Sequence, residues 1–98
     1  MGAPDEIMRK AIMPTYGRAP VSFVRGVGSW LYTAEGDAYL DVASGIAVNI
    51  FGHSHPRLVE ALTSQAGQLW HTSNLYQIPQ QEKLAYRLAQ HAQLDQTF

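Results

Sequence analysis

The histidines are the residues of this chain that most readily suggest chemistry. His53 and His55 are separated by one residue, and His71 follows one predicted helix later. A metal site needs converging ligands, usually including thiolates or carboxylates, and no carboxylate lies at an adjacent ligand spacing. The pattern therefore favours helix capping and packing for these imidazoles, and we predict no metal site.

Two further motifs lack the context that their chemistry requires. Ser44 precedes a glycine, but the leading glycine of a Gly-x-Ser-x-Gly nucleophile elbow is absent. Gly26 and Gly28 form a Gly-x-Gly pair without the third glycine of a dinucleotide-binding loop, and a predicted strand follows it. We interpret the two glycines as residues that bend a small sheet.

The carboxylates and lysines provide no catalytic residue either. Glu35, Asp37 and Asp41 lie on a predicted hairpin, where solvation accounts for them. A Schiff-base lysine needs a desolvated pocket and a cofactor cradle. Lys10 lies in the leader, residues 1–18, and Lys83 on the polar side of a predicted helix, so neither position offers a pocket or a cradle. We therefore predict no catalytic residue within this chain.

The composition is that of a small globular domain with few charged residues. The chain has 98 residues, of which 46% are hydrophobic and 15% charged. A small soluble domain normally carries about 25–35% charged residues on its surface. The shortage predicts that part of the chain is covered, either by the rest of a larger protein or by a second subunit.

The same totals argue against several classes of partner. The net charge is −1 and no basic stripe exists, so we predict no nucleic-acid binding. No apolar run approaches the roughly 20 residues that span a bilayer, and the first residues do not form a signal peptide. Cysteine is absent, which fits a reducing compartment. A cytoplasmic protein without a membrane segment is the prediction.

Hydrophobic periodicity predicts an α+β arrangement that begins with a short antiparallel β-meander. A first strand is predicted around Val21 and Phe23, and a hairpin over residues 30–42 with Gly36 at its turn. The preceding leader, residues 1–18, contains apolar residues at helical spacing. They predict one short helix that ends before Pro14.

Two amphipathic helices are predicted after the meander. Ser54 stands shortly before Pro56, which suits the first turn of a helix. The apolar stripe of this helix is predicted to run from Leu58 to Trp70. Pro79 is predicted to open the second helix.

Taken together, several stretches resemble the N-terminal portion of the class III aminotransferases, which use pyridoxal 5'-phosphate (PLP). The last stretch is similar to the acetylornithine and succinylornithine branch of that family. In chain order the stretches are YGRAP at 16–20, GSWLY at 28–32, AEGDAYLD at 34–41, SGIAVN at 44–49, GHSHP at 52–56 and HTSNLY at 71–76. Their order and their spread over most of the chain make the resemblance specific.

The resemblance implies the N-terminal part of a fold-type I PLP-dependent transferase. Residues 19–53 would be the β-meander of the small domain, and residues 54–98 would be helices leading into a large PLP-binding domain. It implies a homodimer that transfers an amino group between N-acetylornithine and 2-oxoglutarate in arginine biosynthesis. PLP would be bound by the intact enzyme and not by this segment alone, which we expect to be inactive.

The resemblance also implies a set of substrate-binding residues. Tyr16 matches a family tyrosine near the substrate, and Ile46 falls at a position that gates substrate entry. Ser44 and Gly45 precede it in a run of small residues that would form a wall of the active site. Two alternatives stay open. One is another class III aminotransferase acting on ornithine, succinylornithine or 4-aminobutyrate, and the other is a non-enzymatic binding or assembly module.

Overall fold

A computed structural model describes residues 3–98 of the chain. The chain divides into two compact units, Met1–Val59 and Glu60–Phe98. The first unit contains the sheet and the loop that follows it, and the second contains the C-terminal helix. The division at residues 18/19 and 53/54 inferred from the sequence describes an intact enzyme, and it stays a prediction.

The first unit contains a three-stranded antiparallel sheet in the order β1-β2-β3. The strands are β1 (Arg25–Val27), β2 (Trp30–Tyr32) and β3 (Ala38–Leu40). Leu31 lies opposite Gly26 on one side and opposite Tyr39 on the other. The predicted hairpin and the short meander are therefore confirmed, as is the α+β fold class.

The first strand begins later than predicted, at Arg25 instead of around Val21. The N–H of Val21 donates to the carbonyl of Ala19 at 2.8 Å, which closes a tight turn. Only the N–H of Val24 extends the ladder, to the carbonyl of Tyr32 at 2.9 Å. The partner strand β2 spans only three residues, so the alternating residues before Arg25 have no strand residues opposite them to pair with.

Thr33 organises the turn between β2 and β3. Its N–H donates to the carbonyl of Asp37, and its Oγ1 accepts from the N–H of Asp37 at 3.1 Å. Its carbonyl accepts from the N–H of Gly36, which has the positive φ of 94° that favours glycine. In the described part of the chain Thr33 is the only residue classed as buried, with 8% of its surface exposed.

Three regular helices accompany the sheet in residues 3–98. They are Pro4–Lys10, Pro56–Ala66 and Pro79–Ala92. Each begins at a proline, which suits the first turn because its missing N–H is not needed there. The first lies in the leader where a helix was predicted, and it ends before Pro14.

The helix Pro56–Ala66 ends earlier than the sequence predicts. At its start His55 acts as the cap, as predicted for these histidines: its Nδ1 accepts from the N–H of Arg57 at 3.2 Å. The helix ends at Ala66, so the predicted stripe does not continue helically to Trp70. Trp70 instead folds back, and its Nε1–H donates to the carbonyl of Ala66 at 2.7 Å.

Apolar side chains of the described residues remain largely uncovered. The accessible surface is 9,524 Å². Two separate compact bodies that share the chain's mass would expose only about 6,700 Å². Leu62 is 72% exposed and Trp70 85% exposed, so these two residues of the predicted apolar stripe are not covered by another element. No helix within residues 3–98 combines the length and the apolar character needed to cross a membrane.

Candidate functional site

Three of the four predicted substrate-binding residues lie on one loop, residues 41–53, which we call the site loop. Backbone hydrogen bonds fasten both ends of this loop to the sheet. The N–H of Asp41 donates to the carbonyl of Ser29 at 2.8 Å. His53 and Gly28 exchange two bonds, at 2.7 Å and 3.0 Å. The loop therefore leaves the sheet at β3 and returns to the turn between β1 and β2.

The site loop contains a left-handed turn over Ser44–Ala47. Its φ angles are 55°, 63°, 67° and 59° in chain order. The N–H of Ala47 donates to the carbonyl of Ala43, and that of Val48 to the carbonyl of Ser44, both at 2.9 Å. This conformation costs an L-residue other than glycine about 1–2 kcal/mol. Such strain persists where surrounding contacts hold it, which is frequent at functional sites.

Asp41 supplies those contacts at the start of the turn. Its Oδ1 accepts from the N–H groups of Ala43 and Ser44, at 3.1 Å and 2.9 Å. Its Oδ2 lies 2.6 Å from the Nε2 of His53, and its side chain is only 9% exposed. The prediction that solvation alone accounts for Asp41 is therefore wrong, because the carboxylate is shared between a backbone turn and an imidazole.

Gly26 makes room for the imidazole of His53. A Cβ added at Gly26 would lie 2.7 Å from both Cβ and Cγ of His53, closer than real contacts allow. Gly26 thus belongs to β1 and permits close packing, whereas Gly28, with φ 57°, bends the sheet as predicted. Of the histidines on the GHSHP stretch, His55 caps a helix as predicted, and His53 instead pairs with Asp41.

A small cavity of about 200 Å³ lies beside this pair. Ser44 lines it, whereas Tyr16 does not: Tyr16 is 76% exposed, with the Arg18 guanidinium 5.6 Å from its ring centre. Ile46 is 89% exposed on the turn. The other lining residues are Gly28, Ser29, Asp41, Asn49, Ile50, Gly52 and His53. Of the four predicted residues, Ser44 alone lines this cavity, Gly45 and Ile46 follow it on the turn, and Tyr16 lies outside.

Residues 12–98 match the protein family described as Aminotransferase class-III. The chain belongs to the class III aminotransferase family. An acetylornithine aminotransferase of Rhodobacter capsulatus is 57% identical over 91 residues, which are 93% of this chain and 23% of that protein. The chain thus spans about a quarter of the length of that relative, and the resemblance inferred from the sequence motifs is confirmed.

Solved structures agree with this assignment. The acetylornithine aminotransferase of Elizabethkingia anophelis matches with a TM-score of 0.87 at 30% identity, over 94% of this chain and 24% of that one. The N-acetylornithine aminotransferase of Stenotrophomonas maltophilia K279a matches with a TM-score of 0.71 at 41% identity, over 74% of this chain and 20% of that one. The chain therefore has the fold of the N-terminal part of the fold-type I PLP aminotransferases.

Class III membership implies PLP in the intact enzyme, and both lysines of this chain lie on exposed helix surfaces. Lys10 lies on an exposed helix, where its Nζ is 3.5 Å from Glu6 Oε1. Lys83 lies exposed on the helix Pro79–Ala92. Neither environment is a desolvated pocket of the kind that a Schiff-base lysine needs. Residues 3–98 also contain no group of three or more His, Cys, Asp or Glu side chains placed to hold a metal ion.

The Asp41–His53 pair is the part of the site that sequence reasoning missed. The two residues are twelve positions apart, and their pairing follows neither a helical nor a strand period. A signal was nevertheless present, because Asp41 ends the AEGDAYLD stretch and His53 lies in the GHSHP stretch. Both stretches carry the family resemblance, and in the structure the pairing of Asp41 with His53 closes the loop between them.

The pKa of the Asp41 carboxyl lies below its ordinary value of 3.8, first because the Ser44 N–H donates to it and then because His53 does. A depressed folded-state pKa stabilises the folded protein above the unfolded value, and this stabilisation is lost as pH falls through the folded value. We expect the stability difference between the full-length protein and its D41N variant to shrink as the pH falls below about 5. Urea unfolding from pH 3 to pH 7, with D37N as the control for a general charge effect, measures this difference. A gap that is independent of pH would contradict it.

Proposed function

We propose that this chain is the N-terminal part of an acetylornithine aminotransferase. The intact enzyme transfers an amino group between N-acetylornithine and 2-oxoglutarate in arginine biosynthesis, as a cytoplasmic, PLP-dependent homodimer. The observation that carries the proposal is the 57% identity to a curated acetylornithine aminotransferase over 93% of the chain. Further curated proteins of the same name match at 51–56% identity.

In this proposal the site loop forms one wall of the substrate site. The left-handed turn presents Ser44, Gly45 and Ile46 consecutively, and the exposed Ile46 side chain is available to contact a ligand. Gly45 has no side chain, which allows close approach of a ligand to the backbone. Tyr16 contributes from the leader segment. The uncovered apolar surface of the chain supports the proposal that a further element of the intact protein packs over these residues.

The remaining catalytic parts belong to the rest of the enzyme in this proposal. When bound, PLP serves as the electron sink that makes amino transfer feasible. The lysine that holds it would come from the part of the relatives' length that this chain does not span. By itself, the 98-residue chain is proposed to be inactive, and its residues would bind and orient the substrate.

Activity of the full-length protein tests the proposal. Purified with PLP, it is expected to transfer the amino group of N-acetylornithine to 2-oxoglutarate. We expect kcat/KM to exceed that for ornithine or 4-aminobutyrate by about a hundredfold or more, as is usual for a site built to bind a polar acyl group. The assay couples glutamate formation to a colour reaction, and succinylornithine is included as a competitor.

The other outcomes select the alternatives. A preference for ornithine, succinylornithine or 4-aminobutyrate would contradict the substrate and keep the reaction class. A PLP-free protein without transaminase activity on any of these amines would contradict the enzyme and favour a binding or assembly module. The 98-residue chain assayed alongside serves as the inactive control.

A further inference from the structure

We propose that Asp41 and His53 form a positioning pair that holds the left-handed turn Ser44–Ala47 in the geometry required for substrate binding. This inference rests on the proposed function, because it assigns a role to residues of the same site. Asp41 and His53 act through the turn that carries the substrate-binding residues. They are therefore positioning residues and not catalytic ones.

The carboxylate of Asp41 connects the turn to a fixed point. One oxygen accepts hydrogen bonds from the N–H groups of Ala43 and Ser44, so it constrains the backbone at the entry to the turn. The other oxygen accepts from the Nε2 of His53 at 2.6 Å. A hydrogen bond involving an ionised carboxylate is shorter and stronger than one between neutral groups.

His53 is a suitable fixed point because the sheet immobilises it twice. Its backbone exchanges two hydrogen bonds with Gly28. Its imidazole is only 20% exposed and packs where Gly26 lacks a side chain. Moving the imidazole away from Asp41 would open a gap over β1 where Gly26 has no side chain, so its packing holds the Asp41 carboxylate against the sheet.

The strain itself indicates why a holding device is needed. Ser44, Ile46 and Ala47 are not glycines, yet all three adopt the left-handed conformation. Without the Asp41 bonds the segment would relax towards ordinary backbone angles. The exposed Ile46 side chain would then point in a different direction, and the N–H groups of Val48 and Asn49 would lose their acceptor, the carbonyl of Ser44.

Paired substitutions in the full-length protein test this inference. D41A removes both acceptor oxygens, whereas D41N keeps an oxygen for the two N–H groups. H53A removes the donor, whereas H53Q keeps an N–H group of similar reach. D37A is the matched control, since Asp37 lies in the exposed turn of the same hairpin.

The kinetic readout separates positioning from a general loss of structure. We expect D41A and H53A to raise KM for N-acetylornithine about tenfold or more, with a smaller change in kcat and in KM for 2-oxoglutarate. D41N and H53Q are expected to recover most of the loss, and D37A to behave as the parent. A KM within twofold of the parent in D41A, or equal losses in D41A and D41N, would overturn the inference.

Amide hydrogen exchange provides a readout that does not depend on activity. Exchange at Val48 and Asn49 is expected to become faster in D41A than in the parent, with little change in β2. If the parent itself proved inactive, the proposed function would fail, and faster exchange at these amides would still support the holding role. Unchanged exchange in D41A would overturn that role whatever the activity.

Discussion

Purified without the rest of the enzyme, the 98-residue chain is expected to self-associate or to lack a cooperative unfolding transition. Residues 3–98 contain no apolar side chain classed as buried, and Leu62 and Trp70 are among the most exposed. Folding free energy comes mainly from apolar burial, at roughly 25 cal/mol per Å². A chain that leaves this surface in water either associates through it or keeps fluctuating tertiary packing.

Sedimentation velocity and thermal unfolding, followed by near-UV circular dichroism, measure this behaviour. The full-length protein is the positive control and should unfold cooperatively. L62K is expected to reduce association of the fragment, whereas T63K adds the same charge at the adjacent position outside the predicted apolar stripe. A monomeric fragment with a sharp thermal transition would contradict the expectation.

The parts of the fold that follow from local pattern could be predicted from the sequence. The helix Pro79–Ala92 and the hairpin of β2 and β3 depend on hydrophobic spacing and on nearby turn residues such as Gly36. In each case the stabilising contacts join residues close in sequence. The first strand begins at Arg25 and not near Val21, because alternation indicates which residues suit a strand and does not indicate how long the partner strand is.

The candidate site could be located from the sequence, but its geometry could not. The resemblance pointed to Ser44, Gly45 and Ile46, whereas nothing in their types predicts a left-handed turn at Ile46. That conformation depends on Asp41 and His53, which meet only after the loop has closed on the sheet. Contacts between residues twelve apart leave no periodic pattern in the sequence, so the position of Asp41 on a hairpin predicts only a solvated carboxylate.

Gly52→Ala is expected to displace the site loop in the full-length protein. Gly52 has a φ of 78°, and a Cβ there would lie 2.9 Å from the carbonyl oxygen of Gly28 and 3.0 Å from its C and Cα. The neighbouring atoms belong to the backbone of the turn between β1 and β2, so they cannot yield as a flexible side chain would. The left-handed φ and the overlap together should lower the free energy of unfolding by about 2–5 kcal/mol.

Two further alanine variants separate the causes of this loss. Gly36→Ala introduces a side chain at φ 94° with nothing within 4 Å, so it reports the backbone conformation alone. Gly17→Ala has open space as well and no left-handed φ, so it should match the unsubstituted protein.

Denaturant unfolding and kcat/KM for N-acetylornithine are measured on all three variants. Because Gly52 sits between the left-handed turn and the bridge of His53 to Gly28, its variant should lose about a hundredfold in kcat/KM, whereas Gly36→Ala should lose stability only. Equal activity in these two variants would show that the bridge does not position the site loop.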